Sequence, residues 1–269
     1  MKIKIIFKWF FSIFYYKTLS LLNSPNLHRL IKNSITRYFC YAPWNIKDYL
    51  KNKLFFAQFI KKGDLCFDIG ANNGNITNLF LKNGAEVICV EPQINCLRKL
   101  YKKFGNNKKV IIIGKALAEK EGYRTIFINE NENTLSTLSD KWRTESRFSK
   151  YYNWNKQQQV KAITLDNLIQ LYGVPKFCKI DVEGFELNVL KGLTQKIQYI
   201  SFEFTREFLD DMKKCISYLK SLGQVKLNCD ISSNAKFLLS RFSSPMDLYY
   251  SLDLIKDVLL WGDIYVKFI

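Results

Sequence analysis

Residues 64–74, DLCFDIGANNG, join a mainly apolar run, interrupted by Asp68, to a loop bounded by two glycines, and a helical pattern follows at once. A short strand that is apolar on both faces has to sit inside a parallel sheet, where helices cover both sides. A glycine-bounded turn from such a strand into a helix brings backbone close to a ligand and offers it the free N–H groups of the helix N-terminus. The feature therefore constrains the chain to an α/β architecture with a ligand at the strand's carboxyl end.

The pattern recurs. A helix is predicted over 75–83, with Ile76, Leu79 and Phe80 on one face and Gly84 as its stop, then a strand over 86–90 ending at Glu91-Pro92. A helix over 94–104, a strand over 110–113 and a short strand over 123–128 follow. The pattern then breaks down over 129–159, a polar stretch that holds Trp142, Tyr151, Tyr152 and Trp154 beside Arg143 and Arg147. It resumes as a helix over 160–172, a strand over 177–180, a helix over 186–193, a strand over 199–204 and a helix over 207–222 stopped by Gly223. Two last strands, 224–228 and 263–269, are expected to form an antiparallel pair at the sheet edge, with irregular chain between them.

The glycines stand as G-x-x-x-G rather than as the G-x-G-x-x-G of dinucleotide sites, and Asp68 precedes the first of them by two positions. A carboxylate there would repel a pyrophosphate and attract an ammonium group. Asp68 thus points to S-adenosylmethionine, whose methionine end carries one, and against a nicotinamide dinucleotide. Glu91, at the end of the next strand, can accept hydrogen bonds from both ribose hydroxyls. A second strand end, Lys179-Ile180-Asp181-Val182-Glu183-Gly184, brings three charges toward the same place, since Lys179 and Asp181 share a side by the two-residue period. A structural ion pair between those two is the alternative reading.

These motifs, DIGANNGNIT, the VEP that ends the second strand, ITLDNL at 163–168 and KIDVEGFELNVLKGL at 179–193, resemble the FkbM family of methyltransferases in order and spacing. The resemblance covers about residues 55–269 and leaves an N-terminal extension, 1–50, beside a methyltransferase domain, 51–269. It implies a class I, Rossmann-like fold: a mostly parallel seven-stranded sheet with helices on both faces and an antiparallel C-terminal strand. It also implies S-adenosylmethionine as donor, with S-adenosylhomocysteine as product, and a hydroxyl acceptor on a sugar or related metabolite. Carried onto this chain it assigns the cofactor to Asp68, Gly70, Ala71, Asn72, Gly74, Glu91 and Pro92, and the methyl-transfer region to Asp181 and Glu183. Asn73, Asn75 and Phe185 depart from the family's usual residues.

With no histidine in the domain, Asp181 and Glu183 are the candidate general bases, with Glu203 beside them at the acceptor. Lys179 and Trp142 are further candidates for acceptor binding. The 129–159 insertion is expected either to form a lid, Trp142 or Trp154 stacking on a sugar face and Arg143 or Arg147 meeting an anion, or to be an irregular surface loop. Ala116 and Leu117 are positional candidates for the adenine site.

Composition bounds the partners. A formal charge of +17 favours negatively charged surroundings, whether an anionic or lipid-carried acceptor, a membrane surface or nucleic acid, unless it is simply a solvated lysine-rich surface. An RNA methyltransferase is disfavoured by the lack of an NPPY-like segment after Ile180. A catalytically silent membrane-surface module is disfavoured by the intact acids. The 7 cysteines include no CxxC pair, which argues against a disulfide framework and a zinc site; no metal is expected, and the location expected is the cytoplasm. Lys8 and Lys17 interrupt residues 1–22, so that segment is expected not to span a membrane. It reads as a core cap or as a helix laying Trp9, Phe10, Phe14 and Tyr15 on an anionic membrane surface, and His28 beyond it as structural.

Overall fold

The computed structural model describes residues 46–269, so the expectations for residues 1–22, His28 and Cys40 lie outside the described residues. The chain divides between Leu50 and Lys51, and the account below concerns the second unit. After helix α1 (Ile46–Ala57) come β1 (Leu65–Ile69), α2 (Asn75–Lys82), β2 (Glu86–Val90), α3 (Ile94–Phe104), β3 (Val110–Ile113), β4 (Ala116–Leu117) and β5 (Gly122–Ile128). Then follow α4 (Asp140–Glu145), β6 (Lys156–Ile163), α5 (Leu165–Tyr172), β7 (Phe177–Ile180), α6 (Glu186–Leu190), β8 (Tyr199–Thr205), α7 (Leu209–Leu222), β9 (Val225–Ile231), α8 (Pro245–Asp253) and β10 (Trp261–Phe268).

Seven strands form one sheet in the order β3-β2-β1-β7-β8-β10-β9. Strand β1 pairs in parallel with β2 on one side and β7 on the other, while β10 runs antiparallel between β8 and β9. The expected sheet and its antiparallel C-terminal pair are thus present. The chain leaves β1 toward β3 and returns on its far side, which makes the carboxyl ends of β1 and β7 a topological switch point, where open α/β sheets bind ligands.

Apolar strands explain why the sheet is central: Cys66, Phe67 and Ile69 of β1 and all of β7 are buried. One face meets an aromatic layer in which Phe56 and Phe80 pack edge-on against Phe177, and Phe59 stacks on Tyr265. The opposite face is mainly aliphatic, with Leu168, Leu190, Ile216 and Leu248 fully buried. Each such side chain contributes ~1.5–3 kcal/mol of burial. The six described cysteines are all buried and unbridged, and they pack as small core residues.

Two segments depart from expectation. The predicted helix over 160–172 is in fact strand β6 followed by helix α5, because Gln157, Gln159 and Lys161 pair with the distant β5 while Val160 and Ala162 turn inward. The stretch between β9 and β10 contains helix α8, begun by a Ser244–Asp247 capping box with Pro245 in its first turn.

Candidate functional site

The loop after β1 depends on glycine where its first glycine stands. Gly70 has φ +80°, and a Cβ there would lie 1.8 Å from the carbonyl oxygen of Asp181, so β1 and β7 hand their chains over in direct backbone contact. The N–H groups of Gly70 and Ala71 both donate to Val90 O, tying the loop to β2. Asn72 adopts φ +47° and donates its backbone N–H to Glu91 Oε2 at 2.8 Å, while Gln93 N donates to Glu91 Oε1 at 2.8 Å. Burial pushes the Glu91 carboxyl up to about 7 in spite of these two donors.

Gly70, Asn72, Glu91, Pro92 and Gln93 form one wall of a cleft of about 540 Å³. Ile126, Asn133 and Leu138 form another, and Asp181, Val182 and Glu183 lie at the end of β7. A buried carboxylate facing a cleft suits a ribose diol, bare backbone at Gly70 allows close approach, and Asp181, whose Oδ2 already pairs with Lys179, is the partly exposed cleft carboxylate that can also meet an ammonium group. The donor set therefore fits an S-adenosyl ligand.

Three predicted cofactor residues stand behind this wall. Asp68 is 2% exposed, accepts a hydrogen bond from the Thr77 hydroxyl and does not line the cleft; burial lifts its carboxyl to about 6. Its direct grip on the methionine end is corrected accordingly: β1's alternation sends Asp68 to the face under α2. Ala71 is buried, and Gly74 is a packing glycine whose added Cβ would strike Phe104 at 2.4 Å. Ala116 and Leu117, the adenine candidates, are buried in the small β4-β6-β5 sheet, which presents Ile126 of β5 to the cleft instead.

Lys179 is likewise not an acceptor residue. Its ammonium is buried between Asp181, 3.1 Å away, and Asp263, 2.8 Å away. Burial works against the charge, yet the two carboxylates outweigh it and hold the ammonium pKa well above the ordinary value. The ion pair considered for Lys179 and Asp181 is present and extends to a third residue that sequence reasoning missed. Asp263 had one signal, the single acid in a mainly apolar strand, WGDIYVKF.

Beside this pair, carboxylate oxygens of Asp181, Glu183 and Glu203 lie within 4.8 Å of one another. Glu183 is held at φ +54°, its carbonyl accepting from Thr137 Oγ1 at 2.6 Å. Burial, reinforced by neighbouring acids, raises both the Glu183 and Glu203 carboxyls well above the usual range. Three such oxygens could share a proton or ligate a hard divalent cation.

On the far side of Glu203 a second cavity is lined by Trp142, Gly184, Thr205, Phe208 and Met212 among others. Trp142 and Glu203, two of the candidates for acceptor binding, line it. The rest of the 129–159 insertion is packed. Trp154 donates its indole N–H to Leu135 O, Arg147 binds Glu207 and the carbonyls of Leu259 and Leu260, and Arg143 pairs with Asp140 over the Phe127 ring. Those two arginines and Trp154 therefore have protein partners rather than ligand roles. Phe185 packs into hydrophobic clusters outside the cleft.

Among the described residues no helix is long and apolar enough to cross a membrane. Over 75 residues the chain is 36% identical to the hexuronic acid methyltransferase AglP of Haloferax volcanii, a match that spans 27% of this chain and 30% of that protein. Solved structures that overlay on it include a precorrin-6Y C5,15-methyltransferase from Geobacter metallireducens (12% identity, TM-score 0.41, 80% of this chain and 87% of that one). An rRNA methylase from Streptococcus thermophilus also overlays (10% identity, TM-score 0.40, 81% and 94%). Those likenesses are too loose to assign anything. Residues 68–225, more than half of the chain, match the methyltransferase FkbM domain. That span runs from the Gly70 loop through Glu203 and so takes in both cavities: the protein belongs to the FkbM methyltransferase family and takes S-adenosylmethionine as its methyl donor.

Proposed function

We propose that the enzyme methylates a hydroxyl oxygen on a sugar or glycan. The observation that carries this reading is the pair Glu183 and Glu203: two sequestered carboxyl groups beside the cleft, with no protein hydrogen-bond partner for either side chain among the described residues. The donor, when bound, supplies an electrophilic methyl group on a sulfonium. Glu91 would hold its ribose, Asp181 its ammonium group, and the Gly70 backbone would let it lie close.

A hydroxyl must lose its proton as it attacks, and a carboxylate whose affinity for protons is raised is a better base than an ordinary one. The Glu183 and Glu203 carboxylates lie within 4.8 Å of one another, so their repulsion favours a proton on one while the other stays ionised to take the acceptor's. Alignment of acceptor and methyl group can supply a further ~7–11 kcal/mol of barrier reduction. The sugar class is supported by the partial likeness to a hexuronic acid methyltransferase and by the aromatic and carboxylate lining of the second cavity. That acidic lining is the opposite of what an RNA backbone needs.

The test is transfer of a labelled methyl group to a panel of glycosides, with and without EDTA. Alkali-stable methyl ether formation unaffected by the chelator is expected. Methylation only of amines or carbons would contradict the hydroxyl assignment, and activity lost to EDTA and restored by Mg²⁺ would make the three carboxylates a cation site instead.

A further inference from the structure

Resting on the methyl-transfer reading, we infer that the second cavity seats the acceptor and selects a neutral hydroxylated ring over one that bears a carboxylate. Two residues of its lining, Trp142 and Thr205, each hold a buried polar atom just behind the cavity surface. Trp142 Nε1 and Thr205 Oγ1 are buried without a hydrogen-bond partner among the described residues, in side chains of residues only 3% and 4% exposed. Folded proteins rarely leave buried donors unpaired; water, an ion or a ligand completes them.

The chemistry of the three polar groups is complementary to a polyol. The indole N–H can only donate, the threonine hydroxyl donates or accepts, and Glu203 accepts, or donates when it holds the shared proton. The Trp142 and Phe208 rings, with centroids 5.7 Å apart and planes inclined at 38°, form a wall on which the C–H face of a sugar ring can lie. Met212 and Cys215 add apolar lining.

Charge sets the selectivity. Among the described residues Lys141 is the one cation lining the cavity, against Glu186, Glu203 and Asp211. Its ammonium is already committed, 2.5 Å from Asp211 and 4.9 Å above the Phe208 ring. A ring carboxylate would enter beside Glu203 with no cation left to pair with it.

The cavity also opens in the right place. Glu183 lines the cofactor cleft, and Gly184, the next residue, lines this cavity. Gly184 has φ +83°, and a Cβ on it would come within 2.9 Å of Trp142 Cε3, so the indole rests on bare backbone at the junction. A hydroxyl held at Glu203 would therefore lie beside Glu183 at the edge of the cofactor cleft.

The test uses the ¹⁵N-labelled full chain with and without S-adenosylhomocysteine, reading the Trp142 indole N–H resonance, assigned by its loss in Trp142→Phe. Methyl glycosides of a neutral hexose and of the matching hexuronic acid are titrated in. The neutral glycoside is expected to move that resonance and to bind on the order of tenfold more tightly than the uronide. Thr205→Val should weaken it about fivefold, Thr205→Ser should restore it, and S-adenosylhomocysteine affinity should stay unchanged in both. Equal or tighter uronide binding, binding of neither glycoside, or binding indifferent to Trp142 and Thr205 would overturn the inference. Failure of S-adenosylhomocysteine to bind would instead contradict the methyl-transfer reading, and the glycoside titration without it still judges the cavity.

Discussion

At the ends of β1 and β2, Asp68 and Glu91 are closed off by the protein's own donors, the Thr77 hydroxyl for one and the Asn72 and Gln93 N–H groups for the other. At the ends of β7 and β8, Glu183 and Glu203 lack such donors among the described residues and instead crowd one another and Asp181. Carboxylates at both places resist ionisation because burial removes them from water. The difference lies in what each can still do. The first pair is fixed before any ligand arrives and shapes a binding wall, whereas the second retains its capacity to exchange a proton with whatever enters.

The contrast is broken most directly at the second pair. Glu203→Gln and Glu183→Gln should each lower kcat by about 10²–10⁴. Donor affinity should change less than about twofold, since neither glutamate is proposed to hold the donor. Steady-state kinetics at saturating donor decide it, and an unchanged kcat would reduce the crowded acids to a structural feature.

Next in size is the counter-ion that makes the crowding tolerable. Lys179→Met leaves Asp263 buried without a cation and should destabilise the fold by about 3–5 kcal/mol in urea denaturation. A loss below about 1 kcal/mol would mean that the acids are neutralised by protons alone.

The smallest effect concerns Glu91. Its folded-state pKa, about 7, lies above the ordinary 4.5, so its contribution to stability is fullest below the ordinary value and is lost as pH rises to about 7. Relative to Glu91→Gln, the ligand-free wild type should lose about 3 kcal/mol between roughly pH 4 and pH 8. A stability difference between the two that stays flat with pH would show that the N–H donors cancel the cost of burial.

Much of the first wall was legible because its determinants are local. The β2 and α3 ranges agree with expectation, since Gly84, the Glu91-Pro92 step and the 105–107 turn bracket clear apolar periods. Strand β6 was not legible: its KQQQV start is polar, and only pairing with β5 makes it a strand. Helix α8 had a readable capping box that the irregular reading overlooked. The direction of Asp68 and the function of Lys179 depended on residues far away in sequence, Asp263 above all, and the second cavity exists only because α4 and α7 meet across the end of β8. Strand ends can be located from periodicity, but which carboxylate faces the ligand is decided by tertiary neighbours.

Calorimetric titration of S-adenosylhomocysteine into the wild type, Glu91→Gln and Glu203→Gln bears most directly on the cofactor cleft. The wild type should bind, Glu91→Gln should weaken binding by about 10–100-fold, and Glu203→Gln should remain within about twofold of the wild type. No uptake by the wild type while a nicotinamide dinucleotide binds, or equal losses in the two variants, would contradict the account.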